Sequence, residues 1–151
     1  MKIIRRVGIK KSGEVSLQDL IKYIRKNENF DKCGAIATFT GIVKGYTKDG
    51  KKVEKIEIQA YEELAIKSLE KISEELRSKP GIVDVLIYHL IGTFSVGEIL
   101  VYVVVAGISR GVVFSTLKEA VKRYKSEAAL WKKEFLVNGE AYWMPKNSKK
   151  L

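Results

Sequence analysis

Two groups of residues carry side chains suited to holding an anion. The first is Ser109-Arg110-Gly111. It stands between the apolar run Val101-Tyr102-Val103-Val104-Val105-Ala106 and a stretch of helical character, so backbone N–H groups and the positive end of a helix dipole would converge there. Arg110 adds a planar fork that pairs with phosphate through two hydrogen bonds, and Gly111 lets a ligand approach the backbone closely. An ordinary N-cap serine followed by a solvated arginine accounts for the same pattern.

The second group runs from Lys122 to Glu134, where Lys125 and Lys132 lie seven residues apart. A continuous helix would put both on one face; a helix that stops near Ala129 would let the chain fold Lys132 back toward Lys125. Neighbouring lysines depress each other's pKa, so one becomes a better nucleophile or proton shuttle while the other binds an oxyanion. The competing explanation is favourable placement of cations at a helix C-terminus. Thr38-Phe39-Thr40-Gly41 followed by Lys44 reads as a strand whose loop offers one more cation. His89, the single histidine, reads as a satisfied strand-end residue, and Cys33, the single cysteine, as a small buried apolar one. One thiol and one histidine exclude a disulfide framework and leave no zinc-ligand spacing.

The elements that must position these residues follow from periodicity. Lys2 to Ile9 reads as a strand, and Ser16 caps a helix through Ile24. A β-rich run covers Gly34 to Val43, and the basic stretch Lys44 to Lys52 has loop composition and is expected to be mobile. Val53 to Ala60 alternates as a half-buried strand, and Glu62 to Ser78 switches to a helical period with Leu64, Leu69, Ile72 and Leu76 on its buried stripe. Pro80-Gly81 ends that helix, and strands at Ile82 to His89 and Ile99 to Ala106 are joined through Gly92 to Gly97. Ser109 opens a helix to about Ala129, and Asn138-Gly139 turns a terminal hairpin. Strands and helices intermix without strict βαβ alternation, which predicts an α+β fold with a mainly antiparallel sheet.

The 151 residues, 46% of them hydrophobic, suit one domain with a sizeable core. That domain is expected over 1–145, with a frayed basic tail at 146–151. No run is long and apolar enough for a membrane helix, so a cytoplasmic protein without membrane partners is expected. A formal charge of +10 points to anionic partners or substrates, with nucleic acid the first suspect. Zinc-finger spacing, an RNA-recognition aromatic run and a helix-turn-helix are all absent from the sequence, which counts against that suspect.

The patches Thr38-Phe39-Thr40-Gly41 with Lys44, Tyr61-Glu62, His89-Leu90-Ile91-Gly92, Gly97-Glu98, Ser109-Arg110, and Lys125 through Trp131-Lys132-Lys133-Glu134 occur in an order and spacing that resembles the molybdopterin synthase large, catalytic subunit family. The resemblance spans about Gly34 to Trp143. It implies an α/β-hammerhead type of single domain. The implied activity is sulfur transfer from the C-terminal thiocarboxylate of a small ubiquitin-like carrier, ending in Gly-Gly, to cyclic pyranopterin monophosphate, forming the molybdopterin dithiolene.

It further implies a homodimer within a heterotetramer, and neither a redox cofactor nor a metal. Carried over by position, Lys125 is the catalytic lysine, Lys132 assists it, and Arg110, with Ser109, Gly111 and Lys44, binds substrate. Three positions depart from the family pattern: Ser109 replaces a usual histidine, Leu90 a usual arginine, and Lys44 a frequent arginine. Two other readings are a basic nucleic-acid-binding module using the Lys44 to Lys52 loop and the tail, and an inactive paralogue that binds the carrier only.

Overall fold

The computed structural model describes Ile3 and residues 5–145, so the tail expected at 146–151 lies outside the described residues. The spine is β4 (Ile82–Ser95), whose first nine residues are almost all apolar and nearly all buried. Such a run suits a strand covered on both faces. It pairs antiparallel with β5 (Ile99–Gly107), from Ile82 opposite Gly107 to His89 opposite Val101. On its other ladder it takes β1 (Val7–Lys11) in parallel, Ile9 opposite His89.

Past Gly92, whose φ of 122° favours a residue without Cβ, the same strand continues to Ser95 and pairs with β3 (Val53–Ala60). The strand expected to end at His89 therefore runs six residues further, because the glycine redirects it rather than stopping it. β2 (Ala35–Ile42) flanks β5, and β6 (Leu130–Leu136) and β7 (Ala141–Trp143) extend the sheet beyond β3. The order is β2-β5-β4-β3-β6-β7, antiparallel throughout except for the β1·β4 pair. This is the expected α+β domain with a mainly antiparallel sheet.

Among the described residues, three α-helices cover the sheet. α1 (Leu17–Arg25) begins with a reciprocal capping box: Asp19 N–H donates to Ser16 Oγ at 3.1 Å, and Ser16 N–H donates to the Asp19 carboxylate at 3.0 Å. α2 (Glu62–Arg77) buries Ala65, Leu69, Ile72, Ser73 and Leu76. Leu64, expected on that stripe, is instead 51% exposed, the helix being rotated so that Ala65 meets the sheet. α3 (Arg110–Glu127) lies over β2 and β5 and beside α2. Alternation along β4 sends Tyr88 toward α1 and His89 toward α3.

Two further expectations change. Among the described residues the first strand runs Val7–Lys11, two residues past the expected end at Ile9, and the expected start at Lys2 lies outside the described residues. The Lys44 to Lys52 stretch is a small hairpin, not an open loop: Tyr46 bridges Lys52, Thr47 N–H donates to Lys51 O at 2.8 Å, and Val53 N–H donates to Gly45 O at 2.9 Å.

Candidate active site

The α3–β6 junction makes the site. α3 ends at Glu127; Ala128 then turns extended, with φ −78° and ψ 143°, while its N–H still donates to Tyr124 O at 3.2 Å. Ala128 and Ala129 are buried, too small to hold the chain away from the sheet, and β6 starts immediately. Of the two arrangements open from sequence, the helix stops and Lys132 folds back on a strand, opposite Ile58 of β3.

Arg123 anchors the helix end. Its guanidinium donates to both Glu127 oxygens at 2.7 and 3.0 Å and to Glu75 of α2 at 2.7 Å. Glu127 and Glu75 are thus both engaged by Arg123.

Lys125 Nζ stands 6.0 Å from the centre of the Phe39 ring on β2, within cation–π range. Lys132 is partly buried, and burial holds its pKa below the ordinary lysine value. The charge of Lys125 pushes it the same way, against an opposing pull from Glu134. Glu134 is itself buried and accepts a short hydrogen bond from the Tyr142 hydroxyl, which raises the Tyr142 pKa to about 12. Lys133 points the other way, its Nζ 5.2 Å from the Phe135 ring centre and 5.6 Å from that of Trp143.

His89 closes the inner wall at 6% exposure, its ring meeting Tyr124 edge-on at 5.6 Å. Its Nδ1 lies 2.8 Å from the Leu90 carbonyl. Burial drives its pKa down to about 4; the Leu90 hydrogen bond opposes that, and the Lys132 charge adds to it. The imidazole is neutral at physiological pH. Cys33, outside this cluster, is half-buried, with its thiol pKa raised by burial, which makes it a poor nucleophile.

The structure brings Lys125 and Lys132 together and leaves the other expected residues elsewhere in the chain. Arg110 is the first residue of α3 and Lys125 lies in its last turn, about 22 Å away by the 1.5 Å rise per residue. Ser109, Arg110 and Gly111 are all exposed, the Ser109 side chain makes no cap bond, and a Cβ built on Gly111 would meet nothing within 4 Å. The N-terminus of α3 is thus an open surface. Lys44 follows the far end of β2, where Ile42 pairs with Ile99 and Val43 N–H donates to Glu98 O at 2.9 Å.

The sequence alone does not bring His89, Phe39 and the Glu134–Tyr142 pair to this junction. Strand alternation would place Phe39 and His89 on definite faces, but which faces meet at the junction depends on how α3 crosses the sheet.

A partly buried lysine made less basic by a second one, near a buried neutral histidine, is a candidate for handling anions chemically. Residues 10–127 match the family described as MoaE protein, and the chain belongs to that family. It is 34% identical over 136 residues to the molybdopterin synthase catalytic subunit of Pyrococcus abyssi, covering 90% of this chain and 88% of that one. With the molybdopterin synthase catalytic subunit of Bacillus subtilis it shares 32% identity over 128 residues, covering 85% of this chain and 78% of the relative. The crystal structure of molybdopterin synthase from Staphylococcus aureus superposes with a TM-score of 0.81 at 29% identity, covering 95% of this chain and 99% of that one. A chain from the Helicobacter pylori complex of subunits 1 and 2 of molybdopterin-converting factor shares the fold, with a TM-score of 0.72 at 20% identity.

Proposed function

We propose that this chain acts as the catalytic subunit of a molybdopterin synthase, with Lys125 and Lys132 carrying the sulfur transfer. The substrate is cyclic pyranopterin monophosphate, and the sulfur donor is the C-terminal thiocarboxylate of a small ubiquitin-like carrier. The observation that carries this reading is the lysine pair at the α3–β6 junction, with the Lys132 pKa depressed by burial and by Lys125.

The chemistry follows from charge. Thiocarboxylate and phosphate are both anions, and two ammonium groups in a partly desolvated pocket hold them together while sulfur attacks the pterin side-chain carbons. Lys125, exposed beside Phe39, is the group that meets the carrier tail. Lys132, the less basic of the two, gives up a proton as the cyclic phosphate opens.

Arg110, with Ser109, Gly111 and Lys44, is assigned to substrate binding. Because Arg110 stands about 22 Å from Lys125 along α3, that role needs a second copy of the chain whose α3 N-terminus faces the lysine pair of the first. A homodimer within a heterotetramer, each far end bearing one carrier, satisfies this. The catalytic unit is the domain at 1–145. No helix among the described residues is long and apolar enough to cross a membrane, and the cytoplasm is the proposed compartment.

Mixing the protein with thiocarboxylated carrier and cyclic pyranopterin monophosphate tests the activity, with dithiolene product as the readout. Product formation supports it. Carrier binding without product, from authentic substrate, supports instead an inactive paralogue, for which Ser109→His is the first reversion to make.

A further inference from the structure

Away from the lysine pair, the end of α1 and the turn after it face the start of β4 and the end of α2 across a cleft of about 950 Å³. Arg6, Lys26, Lys32 and Arg77 line it, with Tyr23 and Ile108 on its walls. Neither Lys125 nor Lys132 is among its lining residues. We propose that this cleft binds a diphosphate group, free or carried by a nucleoside.

The two arginines are held by the same device. Arg6 donates through Nε to Asp84 Oδ1 at 2.7 Å, and the Asp84 side chain is 1% exposed. Asn27 Nδ2 donates to the other carboxylate oxygen at 3.0 Å, so both oxygens are taken. Arg77 donates through Nε to Ser73 Oγ at 3.3 Å, and the buried Ser73 hydroxyl donates in turn to Val85 O at 2.8 Å. Each guanidinium is thus pinned at Nε to a buried oxygen, while its two terminal nitrogens make no hydrogen bond among the described residues. Anchoring the start of the chain accounts for the Nε bond of Arg6 and leaves its outer edge without a task. A fork fixed from behind is oriented before a ligand arrives, which spares the ordering that a free arginine would need.

The charge around the forks is uncompensated. Lys26 and Lys32 form no ion pair among the described residues. Against these four cations the cleft sets Glu28, which is exposed, and Asp84, whose charge Arg6 already meets. The surplus is therefore local to the cleft and not merely a share of the overall +10. Two forks and two ammonium groups offer more donors than one phosphoryl group can take up. A diphosphate presents one phosphoryl group to each fork, with the lysines left to meet the remaining charge. Tyr23 and the exposed side chain of Ile108 give a ring and an apolar surface against which a nucleoside can lie, in a cleft of the size that small-molecule sites commonly have.

The test follows backbone amide shifts of the 15N-labelled chain as inorganic phosphate, pyrophosphate or ADP is added without metal, in about 0.15 M salt so that diffuse attraction is screened. The amides of Asn27, Gly81 and Val83 are expected to move together and to saturate with a Kd for pyrophosphate below about 1 mM, at least about tenfold tighter than for inorganic phosphate. ADP binding tighter than pyrophosphate identifies the group as nucleoside-borne; ADP binding no tighter identifies the free diphosphate.

Arg77→Gln, which leaves the Arg6–Asp84 bond intact, is expected to weaken binding at least about tenfold, and so is Arg6→Lys, which keeps a cation for Asp84 but loses the fork. Replacing the exposed α3 lysines, Lys118→Gln with Lys122→Gln, removes more charge from outside the cleft and is expected to leave the affinity within about twofold. Cleft amides that fail to saturate, unchanged affinity in folded Arg77→Gln and Arg6→Lys, or an equal loss in the Lys118 and Lys122 double variant would each overturn the proposal. Saturable shifts confined to Lys125, Lys132 and their neighbours would overturn it too, placing the anion at the lysine pair alone.

Discussion

Lys125, in the last turn of α3, and Lys132, near the start of β6, bear on each other across the helix–strand junction: after burial, the charge of Lys125 is the largest cause of the depressed Lys132 pKa. Two cations held this close cost the empty protein stability and favour whatever anion arrives between them. That trade separates the site from an ordinary cationic helix end, where each lysine would gain from the dipole and neither would suffer from the other.

Removing the cost should therefore stabilise the fold while removing function. Lys132→Met is expected to unfold at a higher temperature than wild type, by the equivalent of about 1 kcal/mol. The sign follows from a folded-state pKa below the unfolded one. Between the two values the unfolded chain binds more protons, so the wild type regains stability as pH rises toward 10.5 and the advantage of Lys132→Met shrinks there. Thermal melts at pH 7 and above 10 check both halves; a Lys132→Met protein less stable at pH 7 would show the lysine to be a net stabiliser.

Much of this was legible in the sequence, and the remainder has identifiable causes. Ser16 with Asp19 forecast the start of α1 because a capping box is a local device. The Lys125–Lys132 spacing forecast a pair under either helix length. Gly92 was read as a stop because turn chemistry and a bend in a continuing strand use the same residue. Arg110 looked like part of the same site because its local pattern contains no information about the length of the helix that separates it from Lys125. The place of His89 beside the junction was not legible because Tyr124, which its ring meets edge-on, lies 35 residues away in the chain and comes near only through the fold.

Acid should weaken the fold through His89. Its folded pKa of about 4 lies below the ordinary 6.5, so the unfolded chain takes the proton first. Stability contributed by the neutral ring is complete above pH 6.5 and is lost as pH falls from there toward 4, by about 3 kcal/mol in all. Urea titrations across that range should show a slope in wild type that His89→Asn lacks.

Asp84 anchors the start of the chain to the spine. Its carboxylate is 1% exposed and accepts from Arg6 Nε at 2.7 Å, Asn27 Nδ2 at 3.0 Å and Val85 N–H at 2.9 Å. Arg6→Ala leaves that buried charge short of its cation and should cost about 3 kcal/mol. Turnover per folded molecule should not change, since this network lies away from the lysine pair; denaturant midpoints beside specific activity separate the two effects.

If Arg110 serves the site of a neighbouring copy, two damaged proteins can repair each other. Arg110→Ala and Lys125→Ala, each slow alone, should on subunit exchange recover activity in about a quarter of all sites, because half the dimers are mixed and each mixed dimer has one intact site. No recovery after proven exchange would return Arg110 to the role of a solvated first-turn residue.

The most direct test of the lysine assignment is the single-turnover rate of dithiolene formation from cyclic pyranopterin monophosphate and thiocarboxylated carrier, for wild type beside Lys125→Ala. Product from wild type and a loss of at least about 100-fold in Lys125→Ala at saturating carrier, with a melting temperature no lower than that of wild type, is the predicted result. A Lys125→Ala protein that forms dithiolene at the wild-type rate would contradict it.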